Sequence, residues 1–221
     1  MDGRCYIICA GSHEPEPVSR RPGDIVIAAD AGIESAGLYG LEPDLAVGDF
    51  DSVRELPRGA ELVRHDPHKA YTDTLLAVEE GLKRGYEEFV FYGALGGERL
   101  DHAIANTELL AYLADLGKRG FIFLGDTCVT AFKNGELVFP AGLKGYLSVF
   151  AASGAAYGVT ETGLMYGLVD STVCSYSPFP QWVSNEFVGT EATVSVKSGI
   201  LTVVWYDRSA LPLLRRSDSG Y

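Results

Sequence analysis

The stretch "EEFVFYGALGGERLDHAIAN", residues 87–106, changes character twice. It begins as an apolar run of strand length, Phe89 to Tyr92, and turns through Gly93, Gly96 and Gly97. From Asp101 it reads as a helix, with Ala105, Leu109, Leu113 and Leu116 on one stripe and Gly117 just past its end. Strand, glycine loop and helix in that order are a building unit of an α/β fold. Open α/β sheets bind ligands at the carboxyl ends of their strands. Glycines let backbone amides approach a phosphate, and a helix N-terminus adds aligned donors. No Gly-Lys-Ser/Thr follows, so this is not a P-loop, and it does not read G-x-G-x-x-G either. By itself the loop also fits an ordinary tight turn, and Asp101 fits an N-cap. Arg99 adds a group able to clamp a phosphate bidentately.

Upstream the same alternation continues. "CYIICAG" (5–11), "DIVIAAD" (24–30), "PDLAVGDFDS" (43–52) and "AELVRH" (60–65) read as strands, and "AGIESAGLYG" (31–40) as a short helical stretch stopped by glycine. Residues 72–83 place Leu75, Val78 and Leu82 at helical spacing, with Thr72 as a cap and Asp73 in the first turn. "GFIFLGD" (120–126) is a further strand. Apolar strands alternating with helices predict a parallel sheet covered on both faces.

Beyond Val129 the pattern changes to strands joined by glycine turns: "TAFKNGELVF" (130–139), "GYLSVFAA" (145–152) and "EATVSVKSGILTVVWY" (191–206). Lys197-Ser198-Gly199 is expected to close a hairpin within the last. The expected organisation is a Rossmann-like α/β domain over residues 1–136 and a β-sandwich over residues 137–221.

Within "LAVGDFDSV" (45–53), Asp49 and Asp51 sit one residue apart after an apolar run. In an extended strand both carboxylates face the same side. Two such charges about 4 Å apart cost about 4 kcal/mol at an effective dielectric near 20. Water relieves that cost in a solvated turn, and a shared cation offsets it in a metal site.

The 221 residues carry a net charge of -12, which argues against a nucleic-acid partner. The start lacks the apolar run of a signal peptide, and no stretch approaches a membrane span. Cys5, Cys9, Cys128 and Cys174 have neither zinc-ligand spacing nor the density of a disulfide scaffold. His65, His68 and His102 do not form a zinc spacing either, and His13 lies in a Pro-rich loop. A soluble cytoplasmic protein is expected.

In order along the chain, "ADAGIESAGLYGLEPDLAVGDFDSV", "KAYTDT", "GALGGERLDHAIAN", "GVTETGLMYGL", "SNEF" and "VSVKSGILTV" resemble the thiamin pyrophosphokinase family. The most specific part is G-D-F-D-S followed by T-D and then R-x-D-H. The resemblance implies transfer of the pyrophosphoryl group of ATP to the hydroxyl of thiamin, with Mg²⁺, by a homodimer that binds thiamin between subunits. It implies that Asp49, Asp51 and Asp73 hold the metal and the ATP phosphates. Asp30, Gly32, Lys69, Gly93, Gly96, Gly97, Arg99 and His102 are implied to lie near ATP. Arg99 and Asp101 match the family's R-x-D pair, and the general base stays open between Asp101 and Asp73. Tyr166 matches an aromatic that stacks on thiamin, and Ser184 and Asn185 match a Ser-Asn pair expected to bond the aminopyrimidine. Read without the family, Tyr166 fits the core and Ser184-Asn185 a turn.

The chain departs from the family's usual pattern in four places. Ala70 stands where a carboxylate is common, Glu98 is an extra residue, Met165 and Gly167 replace Lys and Pro, and residues 170–182 read as a longer loop. A metal-dependent nucleotide phosphohydrolase and a non-catalytic thiamin- or nucleotide-binding protein are the alternatives.

Overall fold

The computed structural model describes residues 3–51, 53, 55–65, 71–152, 154–176 and 182–216. The apolar runs of the first half form β1 (Arg4–Ile8), β2 (Ile25–Ala29), β3 (Leu45–Gly48), β4 (Glu61–Arg64), β5 (Glu88–Tyr92) and β6 (Arg119–Leu124). They lie in the order β6-β5-β1-β2-β3-β4, and the pairs from β5 through β4 are all parallel. Ile7 stands opposite both Ile27 and Phe91, and Ile27 opposite Leu45, so one buried row crosses the sheet. Full burial of each such side chain contributes roughly 1.5–3 kcal/mol. Continuous apolar runs, rather than alternating ones, are what a sheet covered on both faces requires.

Helix α1 (Asp73–Lys83) packs on β1, β2 and β3. The Thr72 hydroxyl caps it by accepting from the Leu75 amide at 3.2 Å. A 3-10 helix, Asp30–Tyr39, follows β2 directly and ends at Gly40. Helix α2 is Leu100–Asp115.

The second half forms β7 (Thr127–Phe139), β8 (Tyr146–Ala151), β9 (Ala155–Thr162), β10 (Leu168–Cys174), β11 (Asn185–Glu186), β12 (Ala192–Trp205) and β13 (Leu213–Arg216). Their pairings are antiparallel. Strand β12 runs along β7, while its first part (Thr193 to Ser198) pairs with β9 and its last part (Leu201 to Trp205) with β8. Its core is aromatic, with Phe139 edge-on to Trp205 at 5.5 Å between centroids.

The hairpin expected at Lys197-Ser198-Gly199 is absent. Strand β12 passes through these residues in one direction, with a register shift between Val196 and Ile200. The Gly199 amide donates to the Asn134 side chain of β7 at 3.0 Å. A Lys-Ser-Gly run serves a bulge as well as a turn, and here the neighbouring strands on both sides keep the chain extended.

Two units divide the chain, Met1–Leu109 with Gly120–Gly125, and Leu110–Arg119 with Asp126–Tyr221. Strand β7 runs unbroken past residues 136 and 137. Among the described residues no helix is long and apolar enough to cross a membrane.

Candidate active site

In the first unit the chain leaves β1 for β2 on one side, while β5 lies on the other. The loops after β1 and β5 therefore meet at the point where strand order reverses, the usual ligand crevice of an open α/β sheet. They are laced together. Amides of Cys9, Gly11 and Ser12 donate to the carbonyls of Tyr92, Gly93 and Leu95 at 2.8, 2.7 and 2.8 Å, and Gly97 donates to the Ser12 hydroxyl at 2.8 Å. Gly93 has φ +66°, and a Cβ there would lie 2.5 Å from the Cys9 carbonyl oxygen. The buried Asn106 of α2 donates to the Ala94 carbonyl at 2.8 Å and holds the glycine loop from the helix side.

The result is a cavity of about 430 Å³, lined by Gly93, Gly96, Gly97, Arg99 and His102 and by Asp30 and Asp73. The first turn of α2 borders it, so the helix N-terminus offers amides to an anion. Gly11, Thr74 and Asn106 also line it and were missed in the sequence, where only the glycine after β1 hinted at a ligand loop. Cys9 lines it too, but burial pushes its thiol up to about 12, so it packs rather than reacts.

The acidic pair is brought together by a turn, not by the strand alternation expected. Strand β3 ends at Gly48, Phe50 takes φ +63°, and the Asp51 amide donates to Asp49 Oδ1 at 3.1 Å. Phe50 is buried, with the Arg64 guanidinium 5.1 Å from its ring centroid. Asp30, at the end of the adjacent β2, joins them: one oxygen from each of Asp30, Asp49 and Asp51 lies within 4.8 Å of the others. Hard carboxylate oxygens at this spacing suit Mg²⁺, which prefers a few carboxylates plus phosphate and water oxygens. Asp73 lines the cavity with Asp30 and stands outside this group of three.

Arg99 grips Asp101 with two hydrogen bonds, at 2.9 and 2.6 Å. That pairing holds the Asp101 carboxyl down at about 2. Arg99 and His102 face the cavity. Gly32 has a packing role: it is buried, and a Cβ there would lie 2.0 Å from the Ile8 carbonyl oxygen. Lys69 and Ala70 lie outside the described residues.

In the second unit Tyr166 is 66% exposed, so its ring is not core. The Ser184 amide donates to the Ser148 hydroxyl at 2.9 Å, with Ser184 itself at φ +61°. Asn185 is buried, and its amide is fully engaged. Its Oδ1 accepts from the amides of Tyr166 and Glu186 at 3.0 and 2.9 Å, and its Nδ2 donates to the Tyr166 carbonyl and Glu161 Oε2 at 2.7 and 2.6 Å. No donor or acceptor is left for a ligand. Asn185 thus ties the backbone of Tyr166 to Glu186 and Glu161.

The family profile described as "Thiamin pyrophosphokinase, catalytic domain" matches residues 21–121, and that described as "Thiamin pyrophosphokinase, vitamin B1 binding domain" matches residues 136–201. Among solved structures, thiamine pyrophosphokinase from Bacillus subtilis is similar at TM-score 0.78 and 23% identity, over 92% of this chain and 99% of that one. A thiamin pyrophosphokinase family protein from Enterococcus faecalis matches at 0.73 and 26%, over 92% and 99%. Thiamin pyrophosphokinase from Candida albicans matches at 0.69 and 16%, over 92% and 90%. The likeness to the first and third is one of fold. No curated protein matches the chain.

Proposed function

The chain belongs to the thiamin pyrophosphokinase family, with its catalytic and vitamin B1-binding domains, and we propose that it transfers the pyrophosphoryl group of ATP to the hydroxyl of thiamin, giving thiamin diphosphate and AMP. The observation that carries this reading is the cavity at the β1/β5 crevice, where a glycine loop, the α2 N-terminus and Arg99 converge beside Asp30, Asp49 and Asp51. The amides and Arg99 bind and orient the triphosphate, because aligned donors and a bidentate guanidinium fit phosphate oxygens. Asp30, Asp49 and Asp51 hold Mg²⁺, with Asp73 on the cavity wall. A cation held there would supply charge neutralisation to the phosphate oxygens.

Asp73 takes the thiamin hydroxyl proton. It lines the cavity, whereas Asp101 is not among the lining residues and gives both carboxylate oxygens to Arg99. Tyr166 provides the exposed ring on which thiamin stacks, a good match for a cationic, π-rich substrate. Ser184 lines that site, and Asn185 supports it. Residues 1–136 serve ATP and 137–221 serve thiamin. The protein works as a cytoplasmic homodimer with thiamin held between subunits, supported by the exposed Met165, Tyr166, Val169 and Tyr176.

The test is product formation from ATP and Mg²⁺ with and without thiamin. Equal amounts of AMP and thiamin diphosphate, dependent on thiamin, are expected. Nucleotide breakdown indifferent to thiamin identifies a phosphohydrolase instead, and thiamin binding without turnover identifies a non-catalytic binder.

A further inference from the structure

Strand β9 carries one residue that its surroundings do not explain. Glu161 stands opposite Leu168 of β10 and Val194 of β12 and is 2% exposed. Its Oε2 accepts from Asn185, and its Oε1 has no hydrogen-bond partner among the described residues. A carboxyl so placed costs stability that an apolar side chain of similar size would not. Its single bond, however, ends on a residue that touches Tyr166 twice.

Asn185 bonds both the amide and the carbonyl of Tyr166, closing a ring of contacts around that residue's backbone. On the same strand the Glu186 carbonyl accepts from the Met165 amide at 2.8 Å, and just past the strand Phe187 bridges to Leu164. Residues 164–166 thus hang from residues 185–187, while the Tyr166 ring projects into solvent. An acceptor at Glu161 keeps the NH₂ of Asn185 turned inward. That leaves Oδ1 to receive the amides of Tyr166 and Glu186. Glu161 Oε2 serves as this acceptor whether or not Oε1 carries a proton.

We propose that Glu161 is a positioning residue for thiamin, fixing the Tyr166 ring platform through the Asn185 amide. This rests on the reading of Tyr166 as the surface on which thiamin stacks. The role separates from mere packing because it acts on one substrate only and only through Tyr166.

The experiment compares Glu161→Leu, Glu161→Gln, Tyr166→Ala and the Glu161→Leu/Tyr166→Ala double variant. It measures the KM for thiamin and for ATP, kcat, and thiamin binding by calorimetry. Losing one buried hydrogen bond to the platform raises the thiamin KM of Glu161→Leu about tenfold. The ATP KM stays within about twofold, the scatter allowed between uncoupled sites. Glu161→Gln, whose amide oxygen still accepts, recovers the thiamin KM to within about threefold of the parent. In the Tyr166→Ala background Glu161→Leu adds less than about twofold, the non-additivity of residues acting as one unit. Glu161→Met makes the same comparison should Glu161→Leu not fold.

An unchanged thiamin KM in a folded Glu161→Leu or Glu161→Met protein overturns the proposal. So does a parallel rise in both KM values, or a full additional penalty on top of Tyr166→Ala. A parent that binds thiamin with Tyr166→Ala unaffected overturns the platform alone. A parent that neither binds nor consumes thiamin overturns the functional reading, and the platform with it.

Discussion

Arg99 donates to both carboxylate oxygens of Asp101, from Nε at 2.9 Å and from Nη2 at 2.6 Å, at the start of α2. The pair is solvent-exposed, so its contribution to stability is small, but it engages both carboxylate oxygens, and the proposed base is Asp73. Asp101→Asn is therefore expected to keep kcat within about tenfold of the parent, while Asp73→Asn loses about 10²–10⁴, the usual contribution of a general base. Steady-state kinetics of the two variants decide the assignment. A larger loss in Asp101→Asn would reverse it.

Asp30, Asp49 and Asp51 repel one another when no cation lies between them. Addition of Mg²⁺ to the parent is expected to raise Tm, since a ligand that binds only the folded state stabilises it. Asp51→Asn should have the higher Tm in chelator and a diminished response to Mg²⁺. Scanning calorimetry with and without the metal reads both effects, and an unaltered Mg²⁺ response in the variant would remove Asp51 from the metal site.

Burial is the main cause that raises the Glu161 carboxyl from its ordinary 4.5 to about 7, with the Asn185 hydrogen bond opposing it. Between those values the folded chain keeps a proton that the unfolded chain has released. Stability contributed by this group is therefore highest below pH 4.5 and falls as pH rises toward 7. Glu161→Gln has no proton to lose. Its stability relative to the parent is expected to grow by about 3 kcal/mol between pH 4.5 and 7.5. Urea unfolding of both proteins across that range measures the difference; identical pH dependence would refute the buried-acid account.

A Cβ on Gly32 would sit 2.0 Å from the backbone oxygen of Ile8, whereas one on Gly37, in the same 3-10 helix, meets nothing within 4 Å. Gly32→Ala should cost about 2–4 kcal/mol, because neither backbone can yield without moving β1 or the helix. Gly37→Ala should be neutral or stabilising by up to about 1 kcal/mol. Denaturant midpoints of the two single variants are the check, and equal midpoints would mean that the close approach at Gly32 relaxes freely.

Element by element, the apolar runs of β1, β2, β3 and β5 and the helices α1 and α2 were legible along the chain, because burial on both faces of a sheet and on one face of a helix imposes distinct periods. Of the stripe expected on α2, Leu109 and Leu113 are buried, whereas Leu116 lies past its end and is exposed. The bulge in β12 was not. Lys197-Ser198-Gly199 carries the same residues as a turn, and only the flanking β7 and β9 decide that the strand continues. Asp49 and Asp51 stood out by spacing, but for a reason the structure replaces: Phe50 turns the backbone left-handed after β3 has ended.

The sequence by itself determined the alternation of strand and helix, the antiparallel second half, the glycine loop ahead of α2 and the carboxylates near it, since each is written in local composition and period. Only the tertiary structure decided which of them meet. Asp30 joins Asp49 and Asp51 because β2 and β3 are parallel neighbours, so their carboxyl ends emerge side by side. Asp101 pairs with Arg99, and Asn185 with the backbone of Tyr166, because hydrogen bonds form with whatever partner the fold brings within about 3 Å. Partnership of that kind depends on distance in space, which separation along a chain does not encode.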